Sequence, residues 1–500
     1  MKKILINNNP WQTRIALTKD GQLQNIYFSA HAMQTLERVF IKGVVTKVLP
    51  GIQTAFVEIG QDRAGFLHIS EIDRELAIDN MSKGVEMGET EQRPSNRQAL
   101  DISKILTEGE PILVQVSKEP VYEKGAKLTT CFTLPGRFAV LMPNIPRIGV
   151  SKKIEDREER SRLKDIVKSH LPEGMGAIIR TTSEGRQADE IGKDLDYLIN
   201  MWNDIQTKFA AAEPKAMLHE DLDLTLQVVR DNLDDDVEVV IADTKHDQNA
   251  IYKFVKDIAP EYSHKIKLYE DPTPIFEHYG IEKQIEAVLN KKVELKSGGS
   301  LIIESTEAMT VIDVNTGKFI GKTNMEETIF KTNMEAAQEV ARQLRLRNIG
   351  GLIVIDFIDM ATGSNKQKLF KAFEKVLKEQ DKFQSVVLKV SEFGLVQMTR
   401  KRSGKTLVQQ LTDDCPTCRG NGFVKSLQTE CYSIMRKLKE FLLVEHTKNV
   451  LLTVSPEMFT YITNIEYNAI LHLEKSFDCK VVVQDDKKFV LSQYKFEKKI

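Results

Sequence analysis

Two short stretches decide how the middle of this chain folds: Val311-Ile312-Asp313-Val314-Asn315 and Leu352-Ile353-Val354-Ile355-Asp356-Phe357. Each is an apolar, β-branched run with an aspartate near its end, and a helical pattern from Glu326 to Arg347 separates them. Such a strand–helix–strand crossover normally makes neighbouring parallel strands of one sheet. The sequence therefore predicts an α/β layer in which Asp313 and Asp356 project side by side at the carboxyl edge, where ligand sites of α/β sheets lie.

The two predicted carboxylates indicate a metal site. Carboxylates held close together repel each other unless a cation lies between them, and a hard oxygen site with few protein ligands suits Mg²⁺, which keeps several waters. The strand period of two places Asn315 on the face of Asp313, where its amide can hold an oxygen ligand or a water. We predict Asp313, Asp356 and Asn315 as catalytic residues, with Mg²⁺ bound by the two aspartates. The alternatives are two ordinary turn or capping aspartates, or Asp359 in place of one of them.

Composition bounds the class of protein. The 500 residues predict roughly three domains or more. The 70 Lys and Arg against 72 Asp and Glu exclude a histone-like polycation, so a nucleic-acid surface must be a local patch. No apolar run reaches the roughly 18–20 residues of a membrane helix, and the start of the chain is not that of a signal peptide. Five cysteines, a sparse and odd number, favour a reducing cytoplasm over a disulfide framework.

From Phe40 to Glu71 the sequence shows β-rich runs punctuated by glycine, among them Gly43-Val44-Val45, Ala55-Phe56-Val57 and Gly65-Phe66-Leu67-His68-Ile69-Ser70-Glu71. This pattern resembles the OB-fold RNA-binding domain of ribosomal proteins and many ribonucleases. Small barrels of this class stack unpaired bases on strand aromatics, so we predict Phe56 and Phe66 as platforms and Lys118 and Lys124 as phosphate contacts. The alternative is that both phenylalanines fill the barrel core. Residues 82–98 lack aromatics and predict a flexible surface insertion.

A run of cations follows the predicted sheet at Arg400-Lys401-Arg402 and Lys405. Four positive charges in six positions indicate a phosphate patch beside the acidic site, and we predict RNA contacts from Arg400 and Arg402. The alternative is a solvated charge run. The patch would also take in three arginines of the long helix, Arg342, Arg345 and Arg347.

The segment Cys415-Pro416-Thr417-Cys418 resembles half of a zinc site, since zinc takes four ligands. The remaining cysteines form no second pair of this spacing, and no histidine lies near in sequence. The simplest completion is the same pair from a second chain, which makes zinc, bound by Cys415 and Cys418, a link within a homodimer. The alternative is a thioredoxin-type redox pair, for which we see no thioredoxin-like βαβ context around the cysteines.

A further pattern ends a short strand with Arg180-Thr181, ahead of a polar loop and a helix start. An arginine fork and a hydroxyl beside a helix start can hold a terminal phosphate, although an ordinary arginine at a strand end is the alternative. The helix itself is predicted near 187–211 by one apolar stripe, which we interpret as a packing face: Ile191, Leu195, Leu198, Trp202, Ile205 and Phe209.

Taken in order, these parts resemble the ribonuclease E/G family over essentially the whole chain. The resemblance is carried by the OB-like region and by Val140-Leu141-Met142-Pro143, Arg180-Thr181, Asp313-Val314-Asn315, Arg342-Gln343-Leu344-Arg345-Leu346-Arg347, Gly350-Gly351-Leu352-Ile353-Val354-Ile355-Asp356-Phe357-Ile358-Asp359-Met360 and Cys415-Pro416-Thr417-Cys418. It implies an Mg²⁺-dependent endoribonuclease that cleaves single-stranded, AU-rich RNA in rRNA processing and mRNA decay. The products implied are a 5′-phosphate and a 3′-hydroxyl.

The resemblance also implies roles for single residues. Asp313 and Asp356 would bind Mg²⁺ with support from Asn315, and Phe56, Phe66 and Lys124 would contact RNA. A pocket for a 5′-monophosphate would consist of Arg180, Thr181 and the backbone at Val140. Cys415 and Cys418 would share zinc with a partner chain. The partners expected are single-stranded RNA and a second copy of the chain, as a homodimer or a dimer of dimers, with no membrane span.

The fold class implied is a multidomain α/β and α+β protein. A ribonuclease-H-like subdomain is split between residues 1–37 and 225–288, and an OB-fold barrel (38–130) and a 5′-phosphate sensor domain (131–224) are inserted between the two parts. A DNase-I-like catalytic α/β subdomain (289–410), a zinc-link (411–423) and a small C-terminal α/β dimerisation domain (424–500) follow. The chain ends soon after the cysteine pair, which favours a shorter member of the family without a long disordered tail.

Two features depart from the family pattern. The loop at 316–322 stands where some relatives have a Ser/Ala-rich stretch, so contacts near the scissile phosphate can differ. The insertion at 82–98 can change access to the barrel face. The alternative function is a non-catalytic RNA-binding or ribosome-assembly factor with structural aspartates at 313 and 356, and a third interpretation is an exonuclease.

Overall fold

The computed structural model describes residues 1–30, 36–72, 85–87, 101–120, 125–316, 325–381, 383–391, 394–401 and 404–498, with 85–87 described by backbone alone. The chain divides into two units, Met1–Gln410 and Leu411–Ile500. Within the described residues, no helix is long and apolar enough to cross a membrane.

The first sheet joins the start of the chain to a segment that comes much later. In spatial order its strands are β16 (Ile266–Leu268), β15 (Val237–Ala242), β1 (Lys2–Asn9), β2 (Gln12–Lys19) and β3 (Gln22–Ala30). β1 pairs in parallel with β15, so the apolar residues of both strands enter one core. Helices α3 (Leu224–Asn232) and α4 (Lys245–Ile258) contribute to that core, and two short helices, α5 (Ile275–His278) and α6 (Ile281–Leu289), follow.

Between these strands in the chain lies a closed barrel. Its strands are β4 (Phe40–Leu49), β5 (Thr54–Glu58), β6 (Gly65–His68), β9 (Lys127–Thr129) and β8 (Pro111–Lys118), and the pairing of β8 with β4 closes it. A short strand, β14 (Met217–His219), also pairs with β4. Alternation along the strands puts Val45, Ala55, Val57 and Leu67 inside. The predicted OB-like barrel is therefore confirmed, and it has five strands.

The third sheet has the order β10 (Leu134–Pro135), β11 (Ala139–Met142), β13 (Gly176–Ile179), β12 (Ile148–Ser151) and β7 (Val85–Met87), with helices α1 (Arg157–His170) and α2 (Ala188–Ala211). The helix predicted near 187–211 is confirmed, and its apolar stripe is buried from Ile191 to Ile205. The insertion predicted at 82–98 lies outside the described residues except for 85–87. For those three residues a flexible insertion is wrong, because their backbone pairs with β12.

The fourth sheet carries the two aspartates. Its order is β17 (Lys292–Glu294), β18 (Ser300–Ser305), β19 (Met309–Asn315), β20 (Gly351–Asp356), β22 (Leu395–Arg400) and β21 (Ser385–Val387). Helices α7 (Met325–Leu346) and α8 (Gly363–Gln380) share one apolar core with the sheet, and a short helix, α9 (Leu407–Leu411), follows. The predicted crossover is confirmed, since α7 connects β19 to β20 and these strands are parallel neighbours.

The second unit is a small α/β domain. Its sheet has the order β24 (Lys480–Asp485), β23 (Asn449–Val454) and β25 (Tyr494–Lys498), with β23 and β24 parallel and β25 antiparallel. Helices α10 (Leu427–Glu445), α11 (Pro456–Asn464) and α12 (Tyr467–Phe477) complete its own apolar core, which includes Leu438, Leu452 and Ile462.

Candidate active site

Asp313 and Asp356 are direct register partners on neighbouring parallel strands, β19 and β20. Adjacent strands lie about 4.8 Å apart, and alternation along β19 turns Ile312 and Val314 into the core and Asp313 to the opposite face. Ile355 is buried in the same core, so Asp356 faces the same way as Asp313. Helices α7 and α8 pack against the other face of the sheet. The two carboxylates therefore stand side by side at an accessible edge.

The electrostatics of this edge favour a cation. Burial, and then the negative charges of Asp313 and Asp359, raise the pKa of the Asp356 carboxyl above its ordinary value. Asn315 follows two positions after Asp313, and its Nδ2 donates a hydrogen bond of 2.7 Å to Asp313 Oδ2. Within the described ranges no cluster of three or more His, Cys, Asp or Glu could hold a metal, and the strand register brings two carboxylates together, those of Asp313 and Asp356. Such a set fits Mg²⁺, which takes few protein ligands.

On the barrel, Phe56 of β5 lies directly opposite Phe66 of β6. Both side chains are half-buried, whereas their neighbours Ala55, Val57 and Leu67 are fully buried in the barrel core. The alternative that the two phenylalanines fill the core is therefore wrong. They are cross-strand neighbours on the outer face of the barrel, as base stacking requires.

Lysines extend this pair into a row across the barrel. Lys47 of β4 is the register partner of Phe56, Lys127 of β9 stands beside Phe66, and Lys118 of β8 is opposite Lys127. Lys127 also forms an ion pair with Glu71. Sequence reasoning missed Lys47 and Lys127, because only the strand register reveals that they share the row. Lys124, a predicted RNA contact, lies outside the described residues.

The structure removes one residue, Arg400, from the basic patch predicted after the sheet. Arg400 is buried: its guanidinium makes two hydrogen bonds to the Asp381 carboxylate, at 2.5 and 3.0 Å, and a third to the Ile349 carbonyl. The side chains of Arg400 and Asp381 are 0% and 1% exposed, so a phosphate contact by Arg400 does not fit, and we correct that prediction to a structural role. Arg402 lies outside the described residues.

Arg342 and Arg345 of α7, and Arg347 directly after this helix, are also structural. Arg342 donates to the Leu23 carbonyl and pairs with Glu339, and Arg345 donates to the Gln24 carbonyl. Arg347 donates to Gln343 and to the Asn290 carbonyl, and burial lowers its pKa to about 10. These side chains hold α7 against β3 and its neighbours, so the prediction that they extend a phosphate patch is corrected.

The predicted phosphate pocket lies at the end of β13. Arg180 follows this strand directly, and Thr181 is exposed in the turn Thr181–Ser183. Val140 lies on the adjacent strand β11, opposite Ile178. The Arg180 guanidinium donates to the Gly136 carbonyl and forms a 2.8 Å ion pair with Asp231.

The partner of Arg180 is strongly acidic. Burial alone would raise the pKa of Asp231, but the charges of Arg180 and Arg230, which also donate hydrogen bonds to it, lower this pKa to about 2. Arg180 therefore meets a carboxylate at the end of β13, a contact that the sequence did not reveal.

The cysteine pair lies in the second unit, ahead of α10. Cys415 is exposed, Cys418 is half-buried, and both are free thiols. Backbone amides of Cys418 and Thr417 donate to the Cys415 sulfur and lower the pKa of this thiol. A thiolate favoured by backbone donors is the form that binds zinc. Cys431 differs: it is buried in the core of this unit, and burial raises its pKa to about 11.

Comparison with known proteins assigns the family. Residues 133–403 match the family described as "Ribonuclease E/G family", and residues 414–499 match "RNase E/G, Thioredoxin-like domain". The chain is 40% identical to ribonuclease G of Haemophilus influenzae over 94% of this chain and 93% of that protein. It is 38% identical to ribonuclease G of Escherichia coli K12 over 96% of both chains, and 35% identical to ribonuclease E of the same strain over 97% of this chain and 45% of that protein.

The chain therefore belongs to the ribonuclease E/G family, the family that its sequence motifs resemble. Within that family it is similar to ribonuclease G over nearly its whole length, and it is an endoribonuclease. The alternative of a non-catalytic RNA-binding or assembly factor is thereby set aside. One correction concerns the second unit. The interpretation that no thioredoxin-like context surrounds Cys415 and Cys418 is wrong, because residues 414–499 match a thioredoxin-like domain.

Proposed function

We propose that this endoribonuclease cleaves single-stranded, AU-rich RNA with Mg²⁺ held between Asp313 and Asp356, and that it leaves a 5′-phosphate and a 3′-hydroxyl in rRNA processing and mRNA decay. The observation that carries the proposal is the register pairing of the two aspartates on parallel strands. Their carboxylates are hard oxygen donors, and the neighbouring charges that shift the pKa of Asp356 are both negative. Such a pair is completed by a cation from outside the chain.

When bound, Mg²⁺ supplies Lewis-acid stabilisation of the charge that develops on the phosphodiester. The chain's own residues provide the rest. Asp313 and Asp356 would hold the ion, and Asn315 orients Asp313 through its 2.7 Å hydrogen bond. Because α7 and α8 pack on the opposite face, and Val311 and Leu352 on the face of the aspartates are exposed, an unpaired RNA strand can approach the pair across the strands β19 and β20.

The aromatic and lysine side chains in the row across the barrel bind the unpaired RNA. Phe56 and Phe66 stack bases, and the lysines at 47, 118 and 127 contact phosphates on either side of them. Stacking tolerates every base, so the row selects single strands rather than a sequence. Lys124, on the segment between β8 and β9, remains a proposed contact.

A substrate with a 5′-monophosphate is proposed to dock at Arg180, Thr181 and the backbone of Val140. The Arg180 fork is presented at the end of β13 and carries a full positive charge. Its ion pair with Asp231 is only partly exposed, so an incoming phosphate must compete with this carboxylate. We therefore expect the stimulation by a 5′-phosphate to be moderate.

Cys415 and Cys418 are proposed to bind zinc together with the same pair of a second chain, which gives a homodimer and allows a dimer of dimers. The proposal predicts about half a zinc per chain by elemental analysis, from the four-ligand rule. One zinc per chain, or none, would contradict the shared site. Replacing Cys415 by Ser is expected to shift the protein toward monomers in sedimentation.

The experiment that tests the reaction uses a short RNA of defined ends, with and without Mg²⁺. We expect internal cleavage only with Mg²⁺, and products with a 5′-phosphate. A circular single-stranded RNA excludes an exonuclease, because only an endonuclease opens a circle. Cleavage of equal rate in the presence of a chelator would contradict the metal proposal.

The end preference is tested separately. Arg180→Ala is expected to narrow the rate gap between 5′-monophosphate and 5′-hydroxyl substrates, while the rate on the circle stays the same because a circle has no end. An unchanged gap would dismiss the pocket.

A further inference from the structure

The segment that follows the metal pair is held by a neighbouring helix. Residues 357–362 leave the sheet after Asp356 without regular structure and carry a third carboxylate, Asp359. Phe357, the first residue of this segment, is buried and meets Phe373 edge-on at 6.1 Å between ring centroids. A segment without regular structure must satisfy its backbone groups by other means, so its hydrogen bonds show what positions it.

Asn333 of α7 provides the main anchor. Its Nδ2 donates to the Ile358 carbonyl at 2.8 Å, and its Oδ1 accepts from the Ile358 amide at 3.0 Å. One side chain thus pairs with both backbone groups of a residue two positions after Asp356. Asn333 is completely buried, so the bonds lie in a low-dielectric environment where they are strong and directional. An amide is the side chain that can donate and accept here in one plane.

Two further contacts hold the same segment. The Glu326 carboxylate, in the first turn of α7, accepts hydrogen bonds from the amides of Ala361 and Thr362, both at 3.1 Å. On the other side, a Cβ at position 394 would lie 2.9 Å from Asp359 Oδ1, and Gly394 has φ +81°. The segment is therefore clamped between α7 and the start of β22, with Asp356 at one end.

We propose that Asn333 is a positioning residue of the active site. By fixing the Ile358 peptide, Asn333 sets the direction in which the chain leaves β20 after Asp356. It also fixes the segment that carries Asp359. The inference rests on the proposed metal site at Asp313 and Asp356. Residues that orient metal ligands typically change metal affinity or activity by 10–100-fold when they are replaced, so we expect an effect of about that size.

The test compares three variants of the full chain. Asn333→Leu removes both hydrogen bonds at similar volume, and Asn333→Asp keeps the acceptor for the Ile358 amide but loses the donor to its carbonyl. Thr332→Val is the matched control: Thr332 is buried in the same helix, with its Cγ2 against Gly299. Mn²⁺ alone serves as the probe, and its affinity is measured by electron paramagnetic resonance without RNA.

We expect both Asn333 variants to bind Mn²⁺ roughly 10–100-fold more weakly and to lose kcat to a similar extent, with RNA affinity and the control unchanged. If Asn333→Leu does not fold, Asn333→Asp decides. Wild-type Mn²⁺ affinity in a folded Asn333 variant, or an equal loss in Thr332→Val, would overturn the inference. Asp313→Asn separates the two levels: if it is inactive while the Asn333 variants are normal, only this inference fails, and if it cleaves normally, the metal proposal itself fails.

Discussion

The two ends of strand β20 show how one sheet treats charge in two ways. At its carboxyl end Asp356 lies beside Asp313, and burial together with negative neighbours raises the pKa of Asp356. At its amino end Gly351 pairs with Arg400, whose guanidinium is buried against Asp381. Among the residues that the structure describes, no Lys or Arg forms an ion pair with Asp313 or Asp356 at the first end, whereas the charge at the second end is matched. A charge cluster in a sequence therefore indicates a binding site only where the fold leaves the charge unmatched.

The largest effect is expected from a substitution at the carboxyl end of the strands, where the aspartates lie. Asp313→Asn is expected to lower the rate of RNA cleavage by about a thousandfold or more, because the site loses the charge that holds the ion and so the several kcal/mol that a metal contributes. RNA affinity and thermal stability should stay near those of the wild type, since the variant also relieves repulsion with Asp356. Single-turnover cleavage and a filter-binding assay measure the two properties. Equal cleavage would remove the metal site from the mechanism.

The next largest effect is expected at the amino end of β20, where Arg400 pairs with Asp381. Arg400→Met is expected to lower the free energy of unfolding by roughly 3–5 kcal/mol, because Asp381 is left as an uncompensated buried charge. Urea unfolding measures the loss, and Lys401→Met, at the exposed neighbouring position, is the control. Adding Asp381→Leu should recover most of the stability. If instead Arg400→Met is stable and binds RNA less tightly, the original assignment of Arg400 to RNA would be reinstated.

A third prediction sharpens the comparison by locating the RNA contacts away from the matched end. Phe66→Leu on the barrel row is expected to weaken binding of a single-stranded RNA by roughly 1–3 kcal/mol, because a stacked base loses its aromatic platform. Tyr252→Leu, at an exposed aromatic of α4, is the control. Fluorescence anisotropy at fixed salt gives both affinities. An effect equal in the two variants would argue against stacking on the barrel.

The smallest effect is expected at the ion pair of Arg180 and Asp231. This pair is partly exposed, so it is intermediate between the buried Arg400–Asp381 pair and the accessible aspartates. The pKa of Asp231 is about 2 in the fold against an ordinary 3.8, so its ionised form stabilises the fold above about pH 4, and this contribution is lost as the pH falls toward 2. Asp231→Asn should therefore cost roughly 1–2 kcal/mol at pH 6, and the difference from the wild type should shrink at pH 3. Urea unfolding at both pH values checks this. A difference that is constant with pH would contradict the ion-pair origin.

Local pattern was sufficient for several elements. The β19–α7–β20 crossover and helix α2 with its apolar stripe follow from periodicity, which burial and short-range sterics control. The barrel was predicted from the resemblance of its glycine-punctuated strands to the OB fold. The sequence did not decide whether Phe56 and Phe66 face the core or the outside of the barrel, because an aromatic residue in a strand is compatible with either face. Lys47 and Lys127 joined the row only through strand register.

The sequence by itself determined that two aspartates end neighbouring parallel strands, because a crossover helix and the pleat leave few alternatives for their direction. Only the tertiary structure decided which charges are free to act. Arg400 is matched by Asp381 from another element of the fold, and Arg345 donates to the Gln24 carbonyl, more than three hundred residues earlier in the chain. Partners so distant in sequence meet through packing, and no local pattern encodes that meeting.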